Sequence, residues 1–468
     1  MERKENQRSI NFGEALVLVA VFVGIFIWAS GRFPTGMAIL LCALVSAAYG
    51  VIVLKIKWDT IYKQILAMFS KGMSAVIILL MVGLISASWL ASGTIPALVI
   101  MGLKILTPGT FLLAAFVSSA VVSIATGSSW TTCATVGVAL MGVANGIGVP
   151  VGIAGGAIVS GCWIGDKWSP LSDTTNLGAA MTGEDVVDVW KYMLPTSGIG
   201  GLIAAAIFGI LGISYAGKGM DKEKIQFLVD GIGAQYHINF LLLLIPILVV
   251  VVLAAMKKPV LPVLVLGVVL AILLAVFYQG KNPGEILNAL YNGYVTDTGV
   301  AEIDKLLTGG GILKMMSIML IIFCAFILAG TLEAVGVMDA LISKMGKITG
   351  KRGTLVLSSY ISAVLCTYLG GTAYTGVVLN TGMFKKPYED AGLHNLNMAR
   401  ALLEGSGHTN ALVPWCGSHV LIVSTLGITF KDFLPFYFSF WASSILLIVY
   451  GFTGWFMRRL PERRDDVQ

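Results

Sequence analysis

The sequence predicts an all-α polytopic membrane protein, because its charge content is low and its apolar segments are long. The 468 residues are 57% hydrophobic and 12% charged, whereas soluble domains carry about 25% charged residues. A helix needs roughly 20 apolar residues to cross a bilayer. Segments that approach or exceed this length lie at residues 13–30, 33–54, 72–91, 239–256, 259–278, 312–332 and 433–457. So many long apolar segments exclude a soluble protein with one buried helix.

The chain resembles itself at an offset of 244 residues. Residues 127–131 (GSSWT) align with residues 371–375 (GTAYT), and 43 residues separate Gly127 from Pro170 just as they separate Gly371 from Pro414. Internal repeats are a common construction of secondary transporters. We therefore predict a first repeat over residues 1–216, a polar linker over 217–236 and a second repeat over 237–468.

The distribution of positive charge predicts that the two repeats are inverted. Short loops rich in Lys and Arg favour the cytoplasmic side of a membrane. Residues 55–71 and 344–352 are rich in Lys and Arg, whereas 92–109 has one Lys and 279–311 is acidic on balance. We place the first two loops inside and the other two outside, with both termini cytoplasmic. Each half then has five crossings, giving about ten transmembrane helices plus two re-entrant hairpins.

Both predicted hairpins, residues 110–140 and 354–384, carry glycines and hydroxyl groups where the chain turns. Glycines let the chain turn and expose amides, and hydroxyl oxygens can ligate a hard cation such as Na⁺. An alternative is close helix packing, which uses the same small residues. The predicted ligands for an ion or substrate at the two tips are Ser128, Ser129, Thr131, Thr372 and Thr375.

The predicted broken span over residues 151–178 contains Asp166 and Asp173, on either side of Pro170. Pro170 removes a backbone donor and interrupts the helix. Ionisable residues inside a span are costly and are candidates for function. Two alternatives stay open: Asp166 forms an ion pair with Lys167, or Asp173 begins a helix just past the membrane.

The matching span of the second half, residues 399–418, contains Glu404, His408 and Asn410. Glu404 and His408 are four residues apart, so a helix places them on one face. Histidine titrates near neutrality and burial can bring a carboxyl group into the same range, so either could carry protons. A packing role for His408 is equally open. We interpret Arg400 as the cytoplasmic anchor of this span.

Residues 165–175 (GDKWSPLSDTT) resemble the signature of the NhaC family of sodium/proton antiporters. The resemblance implies inverted repeats with hairpins and broken helices. It implies ion-binding roles for Asp166, Ser169, Ser172, Asp173 and Thr174, with Asp166 and Asp173 as sodium ligands. Some members resemble a malate–proton/sodium–lactate antiporter, so the resemblance is compatible with plain cation exchange and with carboxylate-coupled exchange.

These observations predict a sodium- and proton-coupled secondary antiporter in the plasma membrane, and not an enzyme. The sequence shows no HExxH, phosphate-loop or Ser-His-Asp pattern. The alternative is a sodium-coupled symporter of a small carboxylate. Expected partners are Na⁺, H⁺ and the lipid bilayer, with malate and lactate as candidate organic acids. We expect no cofactor and no nucleic acid, and leave a homodimer open.

Overall fold

The structure is a computed structural model that describes residues 8–29, 32–169, 172–216, 222–256, 258–337, 339–341 and 351–460. Within these residues the chain is helical, with two isolated β-bridges. Four of the described helices are long and apolar enough to cross a membrane, or up to seven if each sharply bent pair is one span. The all-α class and the multi-pass membrane character are confirmed, whereas the count of about ten spans stays a prediction.

The first half contains helices that range from a single turn to 35 residues. They are α1 (Phe12–Ala29), α2 (Thr35–Ile52), α3 (Trp58–Ser92), α4 (Thr94–Ile105), α5 (Pro108–Thr126), α6 (Ser129–Thr132), α7 (Val138–Gly146), α8 (Val151–Lys167), α9 (Asp173–Thr182), α10 (Val186–Met193) and α11 (Ile199–Ala216). Two π-helical turns, Cys133–Gly137 and Leu194–Gly198, join α6 to α7 and α10 to α11.

The second half begins after a helix that lies within the predicted polar linker, α12 (Lys222–Gln235). The helices that follow are α13 (Phe240–Leu243), α14 (Ile245–Ala255), α15 (Val260–Leu273), α16 (Pro283–Asn292), α17 (Ala301–Leu307), α18 (Ile312–Val335), α19 (Arg352–Gly370), α20 (Ala373–Asp390), α21 (Asn395–Thr409), α22 (Gly417–Leu426), α23 (Phe430–Phe433) and α24 (Phe438–Thr453).

Helix α3 is longer than the span predicted at residues 72–91, because it begins at Trp58 and runs through most of the predicted loop 55–71. No Gly or Pro lies between Trp58 and Lys71 to end a helix there. The other loop predicted to lie inside, 344–352, falls almost wholly outside the described residues, as do residues 217–221 of the linker.

Helix ends recur at the offset of 244 residues. Helices α5 and α19 end at Gly127 and Gly371, which adopt left-handed backbone with φ of 66° and 65°. Helices α9 and α22 end at Gly183 and Gly427, with φ of 75° and 66°. Glycine is the residue that adopts positive φ without steric cost. The two halves therefore stop their helices at equivalent positions.

Equivalent helix crossings also recur at this offset. A Cβ atom on Gly161 would lie 2.3 Å from the carbonyl oxygen of Phe116, so α8 packs directly on the backbone of α5. A Cβ atom on Gly405 would lie 2.8 Å from the carbonyl oxygen of Tyr360, where α21 crosses α19. These close approaches place the ends of α8 and α21 beside the helix breaks that follow α5 and α19.

Candidate ion and proton site

Asp166 lies in the last turn of α8, where it meets the first predicted tip. The hydroxyl of Ser129 donates a hydrogen bond of 2.7 Å to Oδ2 of Asp166. Ser129 is buried and begins α6, directly after the break at Gly127. The structure therefore brings the broken helix and the tip of the first half together. The Asp166 carboxylate and the Ser129 hydroxyl are in direct contact there.

Ser128 and Thr131 bond to each other in the same tip. The Ser128 Oγ accepts hydrogen bonds from the backbone N–H of Thr131, at 3.2 Å, and from its hydroxyl, at 3.1 Å. Ser128 is thus the N-cap of α6, because its oxygen satisfies a backbone donor in the first helical turn. These contacts fix the start of the helix that carries Ser129.

The segment that follows Asp166 begins the next helix. Ser169 and Ser172 are fully buried, and Ser172 is the N-cap of α9. The Ser172 Oγ also lies 3.0 Å from the hydroxyl oxygen of Thr174. The helix cap expected in this segment is therefore Ser172, one residue before Asp173. Pro170, Leu171 and the side chain of Asp173 lie outside the described residues.

Lys167 is bonded to Glu404 of the second half. Its Nζ donates a hydrogen bond of 2.6 Å to Oε2 of Glu404, and the two side chains are 4% and 0% exposed. The expected alternative paired Lys167 with Asp166. Adjacent residues on a helix do not face each other, and in the structure Lys167 instead crosses from α8 to α21.

Glu404 has further polar neighbours. The hydroxyl of Thr196 donates a hydrogen bond of 2.8 Å to Oε1, and Nε2 of His408 lies 3.6 Å from Oε2. Nδ1 of His408 lies 2.8 Å from the Tyr437 hydroxyl. Thr196 belongs to the π-helical turn Leu194–Gly198, and such turns are frequent at functional sites. Glu404 and His408 thus share one buried cluster, as their spacing predicts.

The remaining predicted ligands lie elsewhere. Asn410 follows the end of α21, and its Oδ1 accepts a 2.7 Å hydrogen bond from the indole of Trp163 on α8. Thr372 is the N-cap of α20 through the backbone N–H of Tyr374, at 3.0 Å. Thr375 packs against Gly370, on which a Cβ atom would lie 2.6 Å from the Thr375 methyl group. Both of these contacts lie within the second tip.

The sequence did not predict the polar contacts of Thr196, Tyr437 and Trp130, of which the first and the third join the two halves. Thr196 and Tyr437 were not predicted, although Pro195 inside an apolar helix was a signal for a local distortion. The indole of Trp130, in the first tip, donates a 2.8 Å hydrogen bond to Ser418 Oγ on α22. Polar contacts between residues almost 300 positions apart leave no local pattern in the sequence.

The chain is similar to known antiporters over most of its length. The sequence profile of the Na⁺/H⁺ antiporter family matches residues 161–455. The Malate-2H(+)/Na(+)-lactate antiporter of Bacillus subtilis is 34% identical over 388 residues, 83% of each chain. The Na(+)/H(+) antiporter NhaC of Alkalihalophilus pseudofirmus is 31% identical over 451 residues, 96% of this chain and 97% of the relative.

A third relative is an amino-acid exchanger by name. The Arginine/ornithine antiporter ArcD of Halobacterium salinarum is 33% identical over 402 residues, 86% of this chain and 83% of the relative. All three relatives are antiporters, and the helical fold and the charged residues inside it agree with transport. The chain therefore belongs to the Na⁺/H⁺ antiporter family, as the resemblance predicted, and its activity is sodium- and proton-coupled antiport.

Proposed function

We propose that Asp166 is the site at which Na⁺ and H⁺ compete and that the cluster around Glu404 tunes the proton affinity of the transporter. The observation that carries this proposal is the placement of two carboxylates, one from each half, on either side of Lys167: Asp166 precedes it in the chain, and Glu404 bonds to it. A charge inside a membrane is costly unless a cation, a proton or an opposite charge compensates it. Both carboxylates therefore favour cations.

Competition at Asp166 accounts for antiport. A sodium ion and a proton neutralise the same carboxylate, so each excludes the other, and either loaded state avoids an uncompensated charge. The Ser129 hydroxyl, 2.7 Å from Oδ2, supplies a second oxygen of the kind that hard cations prefer. Ser169, Ser172, Asp173 and Thr174 follow Asp166 along the chain and are the further ligands of the proposed site.

Proton uptake by Glu404 would loosen a contact between the halves. A protonated carboxyl group loses its charge attraction to Lys167, and Lys167 belongs to α8 whereas Glu404 belongs to α21. His408, 3.6 Å from the same carboxylate and hydrogen-bonded to Tyr437, is the neighbour that exchanges a proton with it. Protonation is thereby linked to the packing of the helix that carries Asp166.

The same proposal includes a small carboxylate as a second substrate. A relative whose name states exchange of malate with protons for lactate with sodium, 34% identical to this chain, supports this variant. We further propose two inverted repeats, residues 1–216 and 237–468, joined by 217–236 in the plasma membrane with both termini cytoplasmic. The matched helix ends support the duplication, and the Lys and Arg distribution supports the orientation.

Uptake of radiolabelled Na⁺ into proteoliposomes tests these assignments. Uptake driven by an outward proton gradient without any organic acid supports plain exchange at Asp166. Uptake that also requires trapped malate and external lactate supports the carboxylate-coupled variant. Uptake that requires an external carboxylate, but neither trapped malate nor a proton gradient, indicates symport and contradicts the proposal.

A further inference from the structure

The guanidinium group of Arg400 lies inside the protein. Arg400 belongs to α21, one helical turn before Glu404, and is 1% exposed. From the sequence alone we interpret it as a cytoplasmic anchor, for which a solvated side chain is expected. The burial shows that this interpretation is wrong, because the charged side chain of a cytoplasmic anchor stays hydrated.

Arg400 has few partners for a buried charge. Its Nη2 donates a hydrogen bond of 3.0 Å to the carbonyl oxygen of Phe456 and lies 3.3 Å from the sulfur of Met457. Its Nε and Nη1 have no hydrogen-bond partner in the described part of the chain. Among the described residues, no carboxylate lies within 4.0 Å of the guanidinium group. Arginine stays protonated in proteins, so Arg400 is a buried positive charge with no salt-bridge partner among the described residues.

Two aromatic rings flank the guanidinium group. Its Cζ lies 4.6 Å from the ring centroid of Tyr192 and 5.9 Å from that of Tyr450. Aromatic rings form cation–π contacts with the flat face of a guanidinium group. The N–H groups lie in the plane of the guanidinium group, so those of Nε and Nη1 stay available to an acceptor that approaches along its edge.

An open cavity of about 480 Å³ is lined by residues that contact Arg400, although Arg400 itself is not part of its lining. Three residues that contact Arg400 line it, namely Tyr192, Phe456 and Met457. Among the described residues that line the cavity, Lys191 and Arg458 are basic and Asp188 is the single acidic one. Its volume is in the range of small-molecule sites, and the excess of positive charge favours an anion.

We infer that Arg400 binds the carboxylate group of a small organic acid. The inference rests on the proposed carboxylate-coupled exchange and gives that substrate a site. A guanidinium group binds a carboxylate through two parallel hydrogen bonds, and the bound anion compensates the buried charge. Arg400 and Glu404 are separated by about 6 Å along the helix axis. A carboxylate at Arg400 therefore favours a proton on Glu404, so that anion and proton bind together.

Calorimetric titration of the purified protein in detergent with L-malate, L-lactate and the neutral amide lactamide tests the assignment. Wild-type protein binds malate or lactate and not lactamide. A folded, monodisperse Arg400→Gln protein binds the acid at least about tenfold more weakly, because the two charge-assisted hydrogen bonds are lost. Unchanged affinity in Arg400→Gln overturns the assignment.

A second pair of variants decides the question if Arg400→Gln does not fold. Met457→Glu places a tethered carboxylate beside Nη2 of Arg400, and Met457→Gln is its neutral isostere. Met457→Glu weakens malate binding at least about tenfold relative to Met457→Gln, because the tethered group competes for the guanidinium. Equal affinities of the two variants overturn the assignment. A wild-type protein that exchanges Na⁺ for H⁺ in liposomes but binds neither acid also overturns it, while the cation exchange at Asp166 stands.

Discussion

Asp166 and Lys167 are neighbours in the chain, yet their side chains serve different parts of the molecule. Asp166 accepts a hydrogen bond from Ser129 within its own half, and Lys167 donates one to Glu404 of the other half. Consecutive side chains on a helix point about 100° apart. One helical turn thus offers a carboxylate to the proposed cation site and a positive charge to the buried cluster.

Replacing Asp166 by Asn is expected to abolish Na⁺-dependent flux while the protein still folds. The amide keeps the shape of the side chain but has no negative charge with which to bind Na⁺ or a proton. The measurement is radiolabelled Na⁺ flux per folded protein in liposomes. Asp59→Asn, at an exposed carboxylate on α3, is the matched control and keeps normal flux. Normal flux from Asp166→Asn would refute the assignment of the cation site.

Breaking the Lys167–Glu404 pair is expected to lower the free energy of unfolding. Lys167→Met or Glu404→Gln alone costs roughly 3–5 kcal/mol, because each leaves a buried charge without its partner. The double variant costs less than the sum of the single variants, since no charge is stranded. Denaturant unfolding in detergent gives the three values. Additive losses would show that the two groups do not interact.

Glu404→Gln is also expected to flatten the pH dependence of transport, because it removes a group that can bind a proton. The profile is measured as Na⁺ flux across a series of external pH values, with His408→Gln alongside. If His408→Gln alone flattens the profile, the proton belongs to the histidine. A Glu404→Gln profile that matches the wild type would remove Glu404 from the proton-handling role.

The sequence identifies Asp166, Glu404 and His408 as candidates because ionisable side chains are rare in apolar segments. Local spacing also predicts that Glu404 and His408 share a face, and in the structure Nε2 of His408 lies 3.6 Å from Oε2 of Glu404. The partner of Lys167 could not be predicted, because it lies 237 residues away. The burial of Arg400 likewise depends on Phe456 and Met457, which close over it from the other end of the second half.

At the scale of helices, the crossings of α5 with α8 and of α19 with α21 depend on glycine. Gly161→Ala and Gly405→Ala are each expected to destabilise the protein by roughly 1–3 kcal/mol, because the added methyl group meets a backbone carbonyl. Gly161→Ala has the larger effect, since its contact distance is 2.3 Å against 2.8 Å. Thermal unfolding in detergent measures both.

Gly382→Ala is the control for these substitutions, since a Cβ atom on Gly382 of α20 meets nothing within 4 Å. Alanine has the higher helix propensity, so this variant is expected to be neutral or slightly stabilising. A loss of stability in Gly382→Ala equal to that in Gly161→Ala would contradict an explanation by helix crossing.

The sequence predicts a helix end correctly where a glycine terminates the helix. It does not predict the boundary where no helix-ending residue is present. The breaks at Gly127 and Gly371 lie where the two predicted tips begin. The extension of α3 back to Trp58 and the helix α12 within the predicted linker were missed, because hydropathy alone marks the apolar part of a helix and not its polar turns.

For the molecule as a whole, the inverted orientation of the repeats is open to a direct test. Cysteines introduced at Lys63 and at Glu285, both exposed, are expected to react with a membrane-impermeant maleimide from opposite sides. The six native cysteines are buried, and the unsubstituted protein serves as the labelling control. Labelling of both positions from the same side would contradict the inverted arrangement.

The bond between Lys167 and Glu404 also has a consequence for biosynthesis. The two residues are 237 positions apart, so a ribosome that adds about 5–20 residues per second needs roughly 12–47 s to reach the second after the first. Throughout that interval the nascent α8 carries an ammonium group whose eventual partner does not yet exist. We therefore expect the first half to wait in the insertion machinery, or at the membrane surface with Lys167 hydrated, so that α8 acquires its final depth only when α21 arrives.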